Sequence, residues 1–77
     1  MNHIIPLSDL SIGQNSKIAV LKVNSNIKPR LLDIGFIKGT NIKCVLKNPS
    51  GDPSAYLIRQ TLIALRKEDA DNIFVTV

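Results

Sequence analysis

The sequence predicts a mainly β fold, a small barrel of about five strands with one short inserted helix and a helical turn before the last strand. Three observations carry this. Apolar residues recur at alternate positions in five runs of four to eight residues. In the first of those runs both faces are apolar, as in a strand curled around a small core. Turn formers then separate the runs, as in Asn24-Ser25-Asn26 and Pro49-Ser50-Gly51-Asp52-Pro53. Pattern alone leaves an OB-fold barrel open as the competing architecture.

The elements follow in order. Ile4, Ile5 and Leu7 form an apolar lead-in, and Pro6 forbids a regular helix there. Ser8 to Gly13 reads as one helical or tight turn closed by glycine. Ser16 to Val23 is the first strand, with Ile18 and Val20 on one face and Ala19, Leu21 and Val23 on the other. Ser25 or Asn26 is placed to cap a helix over Ile27 to Ile34, with Pro29 in its first turn, where a missing N–H costs little. Gly35 falls where a helix end wants a left-handed residue, and Phe36-Ile37 follows as an apolar pair able to fold back on that end. Lys38-Gly39-Thr40 is a second turn. Asn41 to Asn48 is a strand with Ile42, Cys44 and Leu46 on one face and Lys43, Val45 and Lys47 on the other. Ala55 to Arg59 and Leu62 to Leu65 make a hairpin around Gln60-Thr61, which lacks the Gly or Asn of a tight primed turn, so a longer or bulged connection stays open. Arg66 to Asp71 is a charged segment of helix formers, and Ile73 to Val77 closes the fold.

A chain of 77 residues fits one domain over 1–77, and at this size about 60% of the unfolded surface is buried. Ten Lys and Arg against six Asp and Glu give a net charge of +4, which serves solubility or an anionic partner. One cysteine rules out an internal disulfide and fits a reducing compartment. The N-terminus lacks the basic and long apolar regions of a signal peptide, and no apolar run nears the roughly 20 residues that span a bilayer. The expected location is cytoplasmic.

Catalytic chemistry is hard to assemble from these residues. A side-chain nucleophile needs a base within hydrogen-bond reach, and the single histidine, His3, lies near the terminus. Cys44 reads as a buried structural thiol. His3, Cys44 and the scattered acids have no metal-ligand spacing. Glu68, Asp69 and Asp71 read as a solvated face rather than an acid pair. Gly35 and Gly39 follow a helix instead of opening one, so they are no phosphate loop. Lys43, Lys47 and Arg59 are candidates for a weak phosphate-binding face, but only Phe36, Tyr56 and Phe74 are aromatic, which argues against base stacking and against an aromatic-lined proline-peptide groove. Residue chemistry thus ends at a small barrel that binds rather than transforms.

The string Arg30-Leu31-Leu32-Asp33-Ile34-Gly35-Phe36-Ile37-Lys38-Gly39 resembles the helix-turn-strand signature of the FeoA family, small cytosolic partners of the FeoB ferrous iron transporter. Leu7-Ser8-Asp9-Leu10 followed by Gly13 is similar to the family's opening. Pro49 to Pro53 looks like its Gly-Asp-Pro loop, and Leu65 to Ala70, then Ile73 and Val75, like its closing segment. Gln60 departs from the glycine common in the hairpin turn, and Ile34 stands where Met or Leu is common, a swap packing tolerates.

The resemblance implies an SH3-like barrel. It also implies a non-catalytic subunit, without cofactor or metal ligands, that docks on the cytosolic part of FeoB, a membrane protein with a GTP-binding domain, and so sits peripherally at the inner face of the membrane. The same barrel occurs in repressors of the DtxR type, but this chain carries no winged-helix segment. On such a barrel the helix end forms a surface bulge, which makes Leu32, Phe36 and Lys38 candidate contacts. The competing reading has Leu31, Leu32 and Phe36 plugging the barrel. Gly35, Gly39, Gly51, Asp52 and Pro53 are then residues of backbone shape. Exposed strand edges allow weak homo-oligomers. The alternative function is a small basic barrel binding nucleic acid, and a metal-carrying chaperone lacks its ligands.

Overall fold

The computed structural model describes residues 3–50 and 52–77. Strand β1 (Ile4–Pro6) runs into a 3-10 turn (Leu7–Asp9), then β2 (Asn15–Leu21), α1 (Lys28–Ile34), β3 (Asn41–Lys47), β4 (Ser54–Ile58), β5 (Thr61–Leu65), α2 (Lys67–Ala70) and β6 (Ile73–Thr76). The strands form one antiparallel sheet in the order β1-β6-β2-β3-β4-β5. The apolar lead-in is therefore a sixth strand. Three residues have no strand signal of their own; Ile4 and Ile5 are extended because β6 offers them Thr76 and Val75 as partners. His3 extends the pairing, exchanging main-chain hydrogen bonds with Val77 at 3.2 and 2.9 Å.

The sheet curls around one core. Leu7, Leu10, Ile18, Ile42, Tyr56, Ile58, Ile73 and Val75 fill it, with Leu31 from α1 and Phe36 from the turn beyond. Among the described residues the ladder does not close: β5 pairs with β4 alone and β1 with β6 alone. The sheet therefore keeps two edges, β1 and β5.

Two bulges overturn the expected strand faces. In β2 the register shifts between Ile18 and Val20, so Ile18 is buried while Val20 turns out to solvent. In β3 it shifts between Cys44 and Leu46. Ile42 and Cys44 point inward as expected, but Leu46 is 60% exposed and Lys47 turns inward. An extra residue in one strand reverses the side-chain parity beyond it. The pattern Ile-Lys-Cys-Val-Leu-Lys carries no mark of that insertion.

The β4–β5 connection is tight. Its turn residues are Arg59 and Gln60, one position earlier than expected, with φ of 50° and 65°. Ile58 opposite Thr61 closes a two-residue primed turn without glycine. The left-handed residues cost about 1–2 kcal/mol each, which the five-pair ladder from Ser54–Leu65 to Ile58–Thr61 offsets. No helix among the described residues is long and apolar enough to cross a membrane.

Candidate partner-docking surface

Helix α1 is held at its start by the preceding turn rather than by a side-chain cap. Asn24 accepts from the Asn26 N–H through Oδ1 at 2.8 Å, and its carbonyl accepts from Ile27 and Lys28, both at 3.1 Å. Ile27 takes the cap position without a side-chain bond, so neither Ser25 nor Asn26 caps the helix. At the other end Gly35 has φ of 120°. The Phe36 N–H donates to the Leu31 carbonyl at 2.9 Å, and the Gly35 N–H to Leu31 and Leu32, both at 3.1 Å. This is the Schellman arrangement, and it satisfies carbonyls the helix end leaves open.

That cap decides which side chains face out. It folds Phe36 back into the core, where it is 1% exposed, beside buried Leu31. Leu32, one residue round the helix from Leu31, is 43% exposed. Lys38 is exposed in the turn that the Thr40 N–H closes on the Ile37 carbonyl at 2.9 Å. Gly39, with φ of 93°, ties this turn to β2 by donating to the Ile18 carbonyl at 2.8 Å. Of the three candidate contacts, Leu32 and Lys38 therefore lie on the surface, whereas Phe36 is packing. The plug reading holds for Leu31 and Phe36 and fails for Leu32.

Lys38 lines a cleft of about 340 Å³ with Ile4, Lys17, Ala19 and Val20. Exposed Ile37 adds apolar surface to the same turn. Sequence reading missed Ile4 and Val20 because one looked like a lead-in and the bulge swapped the face of the other.

Asp52 and Pro53 lie in the loop before β4, and Gly51 lies outside the described residues. The Asp52 carboxylate accepts from the Lys67 backbone N–H at 3.2 Å, tying the loop to the start of α2. Asp71, after α2, accepts from the Ser8 hydroxyl and from Lys67 Nζ. Those bonds hold its carboxyl below the ordinary value, Ser8 contributing most. Cys44 is fully buried and burial pushes its thiol up; burial likewise raises the Tyr56 phenol.

The three cations of the candidate phosphate face are not brought together. Lys43 sits on the outer face of β3, Lys47 turns inward and donates to the Ser8 carbonyl at 3.2 Å, and Arg59 lies over Gly35. Among the described residues no three His, Cys, Asp or Glu side chains converge.

Known proteins match this arrangement. A Porphyromonas gingivalis protein, an Fe(2+) transport protein A/Fe(2+) transporter FeoB fusion, is 35% identical over 69 residues, which is 90% of this chain but 8% of that protein. The solution structure of iron(II) transport protein A from Clostridium thermocellum superposes with a TM-score of 0.88 at 37% identity, over 95% of this chain and 45% of that one. FeoA of Stenotrophomonas maltophilia, described as a prokaryotic SH3 domain protein and complexed with zinc, gives 0.78 at 32% identity over 90% and 86%. The barrel is accordingly SH3-like rather than an OB-fold. With the FeoA domain model matching residues 5–77, this chain belongs to the FeoA family.

Proposed function

We propose that this protein is a non-catalytic accessory of ferrous iron uptake that docks on the cytosolic part of a FeoB-type GTP-binding transporter. The observation that carries this reading is the fused relative, in which a segment like this chain and a FeoB transporter share one polypeptide. Covalent linkage keeps two partners at high effective concentration, which favours pairs that work in contact. Docking draws the protein to the inner face of the membrane, while the chain itself works from the cytoplasm.

Leu32 and Lys38 form the contact, with Ile37 between them in the chain. They are an exposed apolar side chain and a cation presented by a rigid cap, and such anchors lose little entropy on binding. Phe36 supports them from the core. The test is a titration of labelled protein with the cytosolic GTP-binding domain of its cognate transporter, followed amide by amide by NMR. Shifts centred on Leu32 to Lys38 are expected. Shifts elsewhere would retain the partner and discard this surface. No shift, with the full-length transporter also failing to bind, would overturn the reading.

A further inference from the structure

Strand β5 ends the sheet, and its outer edge is unprotected. Ile58 and Thr61 are the mutually bonded closing pair of the two-residue turn, so bonding alternates along the ladder. Thr61, Ile63 and Leu65 direct their main chain at β4; Leu62 and Ala64 direct theirs outward. No partner for those outward amides and carbonyls occurs among the described residues. The segment Thr61-Leu62-Ile63-Ala64-Leu65 holds neither a charge nor a proline, the usual protection of a strand edge. The opposite edge, β1, ends in Pro6.

Across from this edge stands α1. Ile27, Arg30 and Ile34 line one wall of a groove of about 430 Å³, and Ile63, Leu65 and Arg66 line the other. Leu32 and Lys38 take no part in it. We propose that the groove receives an extended segment of a partner protein, with both apolar and acidic residues on the side that faces the groove, which adds to β5 as a further strand. Alternate side chains of a strand point to opposite sides, so only one set faces the groove, its apolar members meeting Ile27, Ile34 and Ile63 and its acids meeting Arg30 and Arg66.

Charge selects this occupant. Arg30 and Arg66 line the groove against a single acid, Asp69. The Arg66–Glu68 contact at 3.8 Å is too exposed to neutralise Arg66. A second copy of the chain is disfavoured: its own edge segment, Thr61 to Leu65, holds no acid to meet Arg30 and Arg66. This site is independent of the transporter reading, and its test uses no transporter.

The probe is a capped peptide with a valine-valine-glutamate-glutamate repeat, about nine residues long to match a strand, so that each side presents valine and glutamate in turn, titrated into ¹⁵N-labelled protein. Shifts are expected at Leu62 to Arg66 and Arg30, with amide exchange at Leu62 and Ala64 slowed about tenfold. A peptide N-methylated along one edge is expected not to bind, and a valine–lysine peptide to bind about tenfold more weakly. Ala64→Pro deletes an outward N–H without touching the β4 ladder and is expected to abolish binding in a folded protein. Should that variant unfold, Arg66→Glu is expected to weaken binding about fivefold. No shift at millimolar peptide, equal affinity for the lysine peptide, or undiminished binding by Arg66→Glu would overturn the proposal. So would exchange protection that grows with protein concentration alone, which would assign the edge to a second copy.

Discussion

A Cβ atom placed on Gly35 would lie 2.3 Å from Cδ of Arg59. The helix cap and the β4–β5 turn are thus built against each other, one without a side chain so that the other can lay its own across it. Both conformations are strained for ordinary residues, with φ of 120° at Gly35 and 50° at Arg59. Gly35→Ala meets the backbone penalty and the Arg59 clash together and is expected to cost about 3 kcal/mol. Gly39→Ala, where a Cβ meets nothing within 4 Å, keeps only the backbone penalty, about 1–2 kcal/mol. Adding Arg59→Ala to Gly35→Ala should recover about 1 kcal/mol and recover nothing with Gly39→Ala. Urea denaturation of the four variants measures this; equal losses at the two glycines would refute the lock.

Leu32 and Phe36 separate binding from stability. Phe36→Ala empties a fully enclosed site and is expected to cost about 3–4 kcal/mol, a large share of the stability of so small a domain. Leu32→Gln exchanges a half-exposed side chain and is expected to stay within about 0.5 kcal/mol of the parent. Iron uptake supported in cells should fall with both, but thermal melting should change only with Phe36. A lowered melting temperature in Leu32→Gln would place Leu32 in the core and remove it from the docking surface.

The glycine cap, the helix it ends and the strand after it were legible because each rests on local chemistry: a left-handed residue, a proline in a first turn, an alternating run. Phe36 was not placed, since an apolar pair after a glycine reads equally as anchor or as core until the Schellman bonds direct it. Leu46 and Lys47 exchanged faces through a bulge that leaves no trace in composition. The groove beside β5 was invisible for a different reason. It exists only because a helix between β2 and β3 comes to lie across from a strand more than 25 residues further along the chain, and periodicity carries no information over that distance.

Cys44 should behave as a hydrocarbon. Its side chain is wholly enclosed, opposite Tyr56 on β4, and burial raises its thiol pKa, so the reactive thiolate is scarce at neutral pH. Reaction with an aromatic disulfide reagent is expected to be slow in native protein and to rise at least about a hundredfold in denaturant. Cys44→Ala should cost about 1–2 kcal/mol from the cavity and leave transporter binding intact. Rapid native modification would show that β3 opens far more readily than its enclosure implies.

Asp71 joins the two ends of the chain. It accepts from Ser8, 63 residues away, and from Lys67 Nζ at 3.0 Å. The Lys67 pair is solvent-exposed and adds little, so the Ser8 hydroxyl carries the effect. The bonds favour the carboxylate, which places the folded-state pKa below its ordinary 3.8. A depressed carboxyl stabilises the fold above the unfolded value and loses that contribution as pH falls through the folded one. The contribution is therefore complete at neutral pH and fades only below about pH 4. Following the Asp71 carboxyl carbon by NMR should give a midpoint under 3.8, and Ser8→Ala should move it back toward that value while Lys67→Ala moves it less. Asp71→Asn should lower stability between about pH 6 and 8, where the carboxylate's contribution is complete, and flatten the acid limb, because that contribution is no longer there to be lost as pH falls. A midpoint in Ser8→Ala identical to the parent would show that the hydroxyl does not hold the carboxylate in solution.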